Sequence, residues 1–536
     1  MRGKVVFIGL LMMSGMVEAQ VNRYFIYFKD KTGTPFTISQ PAQFLSAKSI
    51  ARRQKQNIVI TEEDLPVNPA YVADVKATGA KTFFTSRWWN GVLVETSPIT
   101  LPSITALPFV KEVIFVAPGN KLQGGRKSKY KARKYDTAED PVNQFQLTQL
   151  GLDQMHMDGY RGEGISIAIF DSGFQGVNVT APFAALFTEK RIKQTYNFVL
   201  NTNSVYELDD HGTEVMSVMA AFSNGSYTGG AHKADYFLYL TEDVTSEYRI
   251  EEFNWAFAAE RADSAGVDVI NSSLGYNTFD DASMDYQPAD LDGNTALITR
   301  TARKAMARGM IVVCSAGNEG SSSWKFVTPP ADAVGILAVG SVTMSGVPSS
   351  FSSIGPTADN RWKPDVVALG SGTSVVKASG AIGTASGTSV ASPLVASLTA
   401  GVWQAYPTLT ATEVYDLIIG SASRALTPTN SLGYGIPHYE SVISSQKSVD
   451  PDAAWISVFP NPVVNTGFNA TLKEPKGASL LITIYDVRGS RMVEWTEVIS
   501  EQNNPLMVDV STYPPGLYLV QFRQGNATAH VRILRR

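Results

Sequence analysis

Three polar residues of this 536-residue chain stand in settings that suit chemistry. Asp171 ends the run Ile165-Ser-Ile-Ala-Ile-Phe-Asp171, with Gly173 behind it to permit a sharp turn. A strand buried on both faces would hold that carboxylate rigidly at its end, although a strand-terminal Asp is also a common turn or helix cap. His211, in Asp209-Asp-His211-Gly-Thr213, opens a helical stretch over 214–222. A histidine fixed there beside a carboxylate suits a general base. Ser389, in Ala385-Ser-Gly387-Thr-Ser389-Val-Ala-Ser-Pro393, opens a long apolar helix whose free backbone N–H groups can stabilise a developing oxyanion. Pro393 falls in or just beyond the first turn, where a missing N–H costs little.

Competing readings are weaker. Asp209 or Asp210 with His211 could ligate a metal, but no second nearby His and no H-E-x-x-H pattern accompanies them. His156, His232, His438 and His530 lack a comparable setting. Gly372-Thr-Ser374-Val repeats the letters around Ser389, but Ser374 sits in a β-like stretch with no helix behind it. The lone cysteine, Cys314, lies in an apolar strand-like run and reads as core packing rather than a nucleophile. It also excludes internal disulfides and cysteine-rich metal sites.

The elements that must position these residues are legible. Short apolar runs at 165–170, 236–240, 267–274, 310–315 and 336–342 predict buried strands, and amphipathic stretches at 214–222, 250–265, 295–308, 389–406 and 411–419 predict helices. Gly266 and Gly309 follow two of the helices, where a left-handed cap is wanted. Alternation of this kind predicts an α/β, doubly wound parallel sheet with sites at the carboxyl ends of its strands.

Composition sets the frame. Net charge −4 and 44% hydrophobic residues describe a chain able to bury a large core, without the basic footprint of a nucleic-acid partner. Arg2 and Lys4 precede an apolar run ending at Val17-Glu-Ala19, which predicts a signal peptide over 1–19 and export. Residues 20–120 read as a compact α+β unit with a helix near 44–54. Residues 121–149 form a linker that packs six basic residues into 124–134, read as protease-sensitive rather than nucleic-acid-binding. The α/β region covers 150–445, and 452–536 reads as a small β-sandwich.

The order Asp171, His211, Ser389 in an α/β region resembles the subtilases, serine peptidases whose triad runs in that order. Two further segments carry the resemblance: Val312-Val-Cys-Ser-Ala-Gly-Asn318 and Asn271-Ser-Ser-Leu-Gly275. Phe170 and Val390 depart conservatively from the usual residues. The resemblance implies a secreted endopeptidase made as a zymogen, with Ser389 as nucleophile, His211 as base and then acid, and Asp171 orienting the imidazole. It further implies Asn318 as an oxyanion donor, Ser273, Leu274 and Gly275 pairing with substrate backbone, and Ala316 and Gly317 lining the other side. No cofactor is implied for the chemistry. Many subtilases hold structural calcium, but no D-x-[DN]-x-[DN]-G loop is present, so any metal residues are unknown. The N-terminal unit matches a propeptide in position. Val458-Phe-Pro-Asn-Pro462, Tyr485-Asp-Val-Arg-Gly489 and Pro515-Gly-Leu-Tyr-Leu-Val520 resemble the sorting domain of type IX secretion. The implied partners are peptide or protein substrates, the chain's own propeptide and the secretion machinery, with a secreted or cell-surface location reached through the periplasm and at most peripheral contact with the outer membrane. The competing class is an inactive adhesin on the same scaffold.

Overall fold

The computed structural model describes residues 21–119, 143–446 and 455–535, except 462, 464–465, 474–476, 487–489 and 526. The predicted signal peptide and the basic stretch 124–134 lie outside the described residues, as do parts of two of the C-terminal motifs. Two compact units emerge, one containing 21–35 and 66–119, the other containing 36–65 and the described residues from 143 onward.

The smaller unit is a four-stranded antiparallel sheet of β1 (Asn22–Phe28), β2 (Lys81–Ser86), β3 (Gly91–Thr96) and β4 (Val110–Pro118), in the order β2-β3-β1-β4. Alternation along β1 and β3 turns Tyr24, Ile26, Phe28, Val92 and Val94 into one core with Val75 and Ile104. Removing such side chains from water contributes about 1.5–3 kcal/mol each.

The larger unit begins with α1 (Ala47–Lys55), whose N-cap Ser46 accepts from the Ser49 amide. It then builds a seven-stranded parallel sheet from β5 (Ser166–Asp171), β6 (Ile192–Asn197), β7 (Asp235–Leu240), β8 (Val269–Ser272), β9 (Ile311–Ser315), β10 (Leu337–Val342) and β11 (Val366–Leu369). Their order is β11-β10-β9-β8-β5-β7-β6. The chain leaves β5 for the edge, returns beside it as β7 and crosses to its other side as β8. The carboxyl end of β5 is therefore the place where strand order reverses and a crevice opens.

Five helices complete the layers: α2 (His211–Ala220), α3 (Ile250–Ala265), α4 (Leu297–Ala307), α5 (Thr388–Ala405) and α6 (Ala411–Gly420). Helices α2 and α5 pack together against the sheet, as α3 and α4 do with each other. Small residues let α5 run through the interior, and a Cβ at Gly401 would stand 2.1 Å from Met155 Sδ. Gly266 caps α3 at φ 86° and Gly309 follows α4 at φ 81°, as their positions predict. The predicted strands and helices are all present, with ends moved by up to about three residues. After residue 455, antiparallel sheets of three and four strands share a core of Phe468, Ile482, Ile484, Val508, Val520 and Phe522. Among the described residues, no helix is long and apolar enough to cross a membrane.

Candidate active site

Strand register builds the site. Phe170 pairs with Ser272, and Ser272 with Cys314. One residue further on, Asp171, Ser273 and Ser315 leave the carboxyl ends of three adjacent strands. Asp171 is fully buried, its carbonyl accepting from the Thr241 amide at 3.0 Å and so joining the end of β7.

Asp171 Oδ1 lies 2.7 Å from His211 Nδ1, and it also accepts from the Ser172 amide at 2.8 Å and the Ser172 hydroxyl at 3.3 Å. The Ser172 hydroxyl also lies 2.5 Å from Asp209 Oδ2, so Asp209 braces the Asp171 turn. Close approach requires glycine here: a Cβ on Gly212 would meet the Gly173 carbonyl at 2.4 Å and Asp171 Cβ at 2.9 Å. Burial by itself would lower the His211 pKa. The charge and hydrogen bond of Asp171, with the charges of Asp209 and Glu214, outweigh it and push the value up to about 9.

Ser389 is the second residue of α5 and is only 5% exposed. Its hydroxyl donates to the Ser273 carbonyl at 3.4 Å, while the Ser273 hydroxyl donates to the Ser389 carbonyl at 2.8 Å. Asn271 supports this pair, donating to Ser273 Oγ at 3.3 Å and accepting from Ser392 at 2.9 Å. Asn318 is exposed just beyond β9. Its Oδ1 accepts from the Thr388 amide at 2.9 Å and the Thr388 hydroxyl at 3.0 Å. Its Nδ2 has no acceptor among the described residues and faces the approach to Gly387.

The remaining expected residues lie around this centre. Leu274 is buried, with its carbonyl 3.5 Å from the Ser315 hydroxyl. A Cβ at Gly275 would stand 2.1 Å from Thr328 Oγ1. Ala316 is buried and bonds Val339 O and the Thr328 amide; Gly317 adopts φ +108° with Ser353 and Thr328 packed close. Ser374 is elsewhere, in the hairpin of Thr373–Val376 and Ile382–Ala385, with its backbone bonded to Gln146. Cys314 is fully buried in β9, and burial raises its thiol pKa far from the range of a nucleophile. His232 is pushed down to about 4 by burial, as expected of a packed imidazole. Residues that sequence reading missed are Ser172, Thr241, Thr388 and Tyr276, whose hydroxyl donates at 2.6 Å to a Glu242 carboxyl that burial raises to about 8. Of these, Thr388, inside the Ser389 motif, and Ser172, between Asp171 and Gly173, could have been found from spacing.

The sequence pattern of the Subtilase family, Peptidase_S8, matches residues 162–435, slightly more than half of the chain. This chain belongs to the subtilase family and is a serine-type endopeptidase. A propeptide domain of Bacteroidota S8 peptidases matches 23–134, and a secretion-system C-terminal sorting domain matches 457–535, which marks the chain for the cell surface or the extracellular space. Subtilisin NAT of Bacillus subtilis subsp. natto is 31% identical over 295 residues, covering 54% of this chain and 68% of its own. Subtilisin of Bacillus pumilus is 30% identical over 283 residues, covering 52% and 91%. The solved MycP3 protease from the type VII (ESX-3) secretion system covers 57% of this chain and 89% of its own at 21% identity, with a TM-score of 0.47. Subtilisins catalyse without a cofactor. Among the described residues no group of three or more His, Cys, Asp or Glu side chains is arranged to hold a metal, so no calcium site is assigned.

Proposed function

We propose that Asp171, His211 and Ser389 form a catalytic triad that cleaves peptide bonds through an acyl-enzyme. The observation that supports this most is the 2.7 Å pair of a fully buried Asp171 with His211, together with a serine at the start of a buried helix that bonds Ser273 just past the strand next to β5. The Ser389 hydroxyl would leave its weak bond to Ser273, add to the scissile carbonyl and pass its proton to His211 Nε2. Asp171 holds Nδ1 and stabilises the imidazolium. The carbonyl oxygen, now anionic, would be met by Asn318 Nδ2 and the Ser389 amide, both preorganised by α5 and Thr388. Collapse breaks the C–N bond as His211 returns the proton to the leaving amine, and water repeats the sequence to release the acid.

The extended residues Ser273, Leu274 and Gly275 would pair with substrate backbone as an added strand, with Ala316 and Gly317 on the opposite side. Residues 1–19 would be the signal, 20–120 the propeptide, 121–149 the linker cut in maturation, 150–445 the peptidase and 452–536 the sorting sandwich. Synthesis as a zymogen and export through a type IX pathway follow from that order. A phosphonate that acylates active serines tests the reading: it should label mature protein and fail on Ser389→Ala. No labelling of mature protein, or labelling that survives the substitution, would sink it.

A further inference from the structure

The hairpin of Thr373–Val376 and Ile382–Ala385 runs straight into α5, with only Ser386, Gly387 and Thr388 between its last residue and Ser389. It also touches the two other segments that carry the candidate triad. The Val376 amide donates to the Ser217 hydroxyl of α2 at 2.9 Å, and Tyr227, from the stretch after that helix, donates to the Ser374 carbonyl at 2.9 Å. At the hairpin tip, a Cβ on Gly176 would stand 2.1 Å from the Ala378 carbonyl oxygen, so the chain just beyond Asp171 packs against the tip with no room for a side chain.

Lys377 sits at that tip. Its ammonium donates to Glu214 Oε1 at 2.7 Å and to the Thr384 carbonyl on the facing strand at 3.2 Å. The lysine stem crosses Gly383, where a Cβ would stand 3.1 Å from Lys377 Cε. The pair is largely withdrawn from water, the Glu214 side chain being 10% exposed and that of Lys377 30%. Glu214 follows His211 by three residues on α2 and so shares its side of the helix.

Three carboxylates, Asp171, Asp209 and Glu214, act on His211 and favour its charged form. Asp171 is engaged by the imidazole and by Ser172, and Asp209 by Ser172. Among the described residues, Lys377 is the only lysine or arginine bonded to any of the three. A cation held on Glu214 opposes the charging of the imidazole at short range, where solvent and salt screen least.

We propose that Lys377 is a positioning residue for the candidate triad: its ammonium ties the helix that carries His211 to the hairpin that leads into Ser389, and offsets the Glu214 carboxylate beside the imidazole. The proposal rests on reading His211 and Ser389 as base and nucleophile. Its consequence is that a larger share of the base is free to take the serine proton near neutral pH than three unopposed carboxylates would allow.

The test compares kcat/KM against pH for mature protein and its variants on one peptide substrate. Lys377→Met keeps the length of the stem and removes the charge; the rising limb of its profile should move to higher pH by on the order of half a unit, and the plateau should fall about threefold. Lys377→Arg should stay near the wild type in both. Glu214→Gln should move the limb to lower pH, and the double variant should fall between the two single ones. A limb that stays put in both single variants, whether or not the plateau falls, would overturn the proposal, as would Lys377→Arg behaving like Lys377→Met. Labelling of Ser389 by the phosphonate separates the two readings. Wild-type protein that fails to label refutes the triad, whereas normal labelling with an unmoved limb refutes the role of Lys377 alone.

Discussion

At the scale of single residues, the imidazole decides the pH behaviour. A His211 pKa of about 9 means that at neutral pH the free enzyme holds most of its base in the protonated form. The expected kcat/KM therefore rises with pH and levels off above about pH 9, and the profile of the free enzyme measures it directly. Stability runs the opposite way. The folded value exceeds the ordinary 6.5, so the contribution of the pair is complete below about pH 6.5 and lost as pH climbs through about 9. Asp171→Asn should cut kcat by about 10⁴ and bring down the apparent pKa of the rising limb; a normal rate with an unshifted profile would refute the assignment. Asn318→Ala should cost about 10²–10³ in kcat, a magnitude taken from a subtilisin, with KM little changed. Thr388→Val, which removes the hydroxyl that donates to Asn318 and accepts from the Gly317 amide, should give a smaller loss in the same parameter.

Elements fix those residues through backbone contacts that admit no extra atom. Gly212→Ala would drive a methyl to 2.4 Å from the Gly173 carbonyl, forcing α2 away from the end of β5 and opening the Asp171–His211 bond. Activity should fall by about 10² or more while the far-ultraviolet circular dichroism is kept; unchanged kinetics would show that the turn can give way. This scale also shows what the sequence made legible. The runs behind Asp171 and Cys314 announced parallel strands because burial on both faces demands uninterrupted apolar residues. The His211 and Ser389 motifs stood at the starts of helices for the same local reason. The Ser172–Asp209 brace and the Tyr276–Glu242 bond were not legible, since they join segments tens of residues apart through side chains common on any surface. Nor could periodicity separate 36–65 from its neighbours: α1 is a polar helix of nine residues, and its binding partners lie more than two hundred residues along the chain.

The whole molecule divides its tasks along one chain. The peptidase sheet carries Asp171 at the end of β5, and the sandwich after residue 455 has its own core, as an export module must if it is to fold beside a catalytic unit. Self-processing belongs to this scale. If the peptidase cuts its own precursor, Ser389→Ala protein purified from cells should retain the segment beginning near Tyr24 at its full length on a gel. Efficient removal would assign maturation to another protease. The arrangement around Asp263 has a consequence of a different kind. That carboxylate answers two arginines belonging to a stretch of chain read two hundred residues earlier, and Asp64 of the same stretch answers Arg308. Neither side can drift alone in inheritance. A leader segment without the matching cations would leave Asp263 unanswered, so N-terminal region and peptidase should be passed on, and exchanged in engineering, as a matched set.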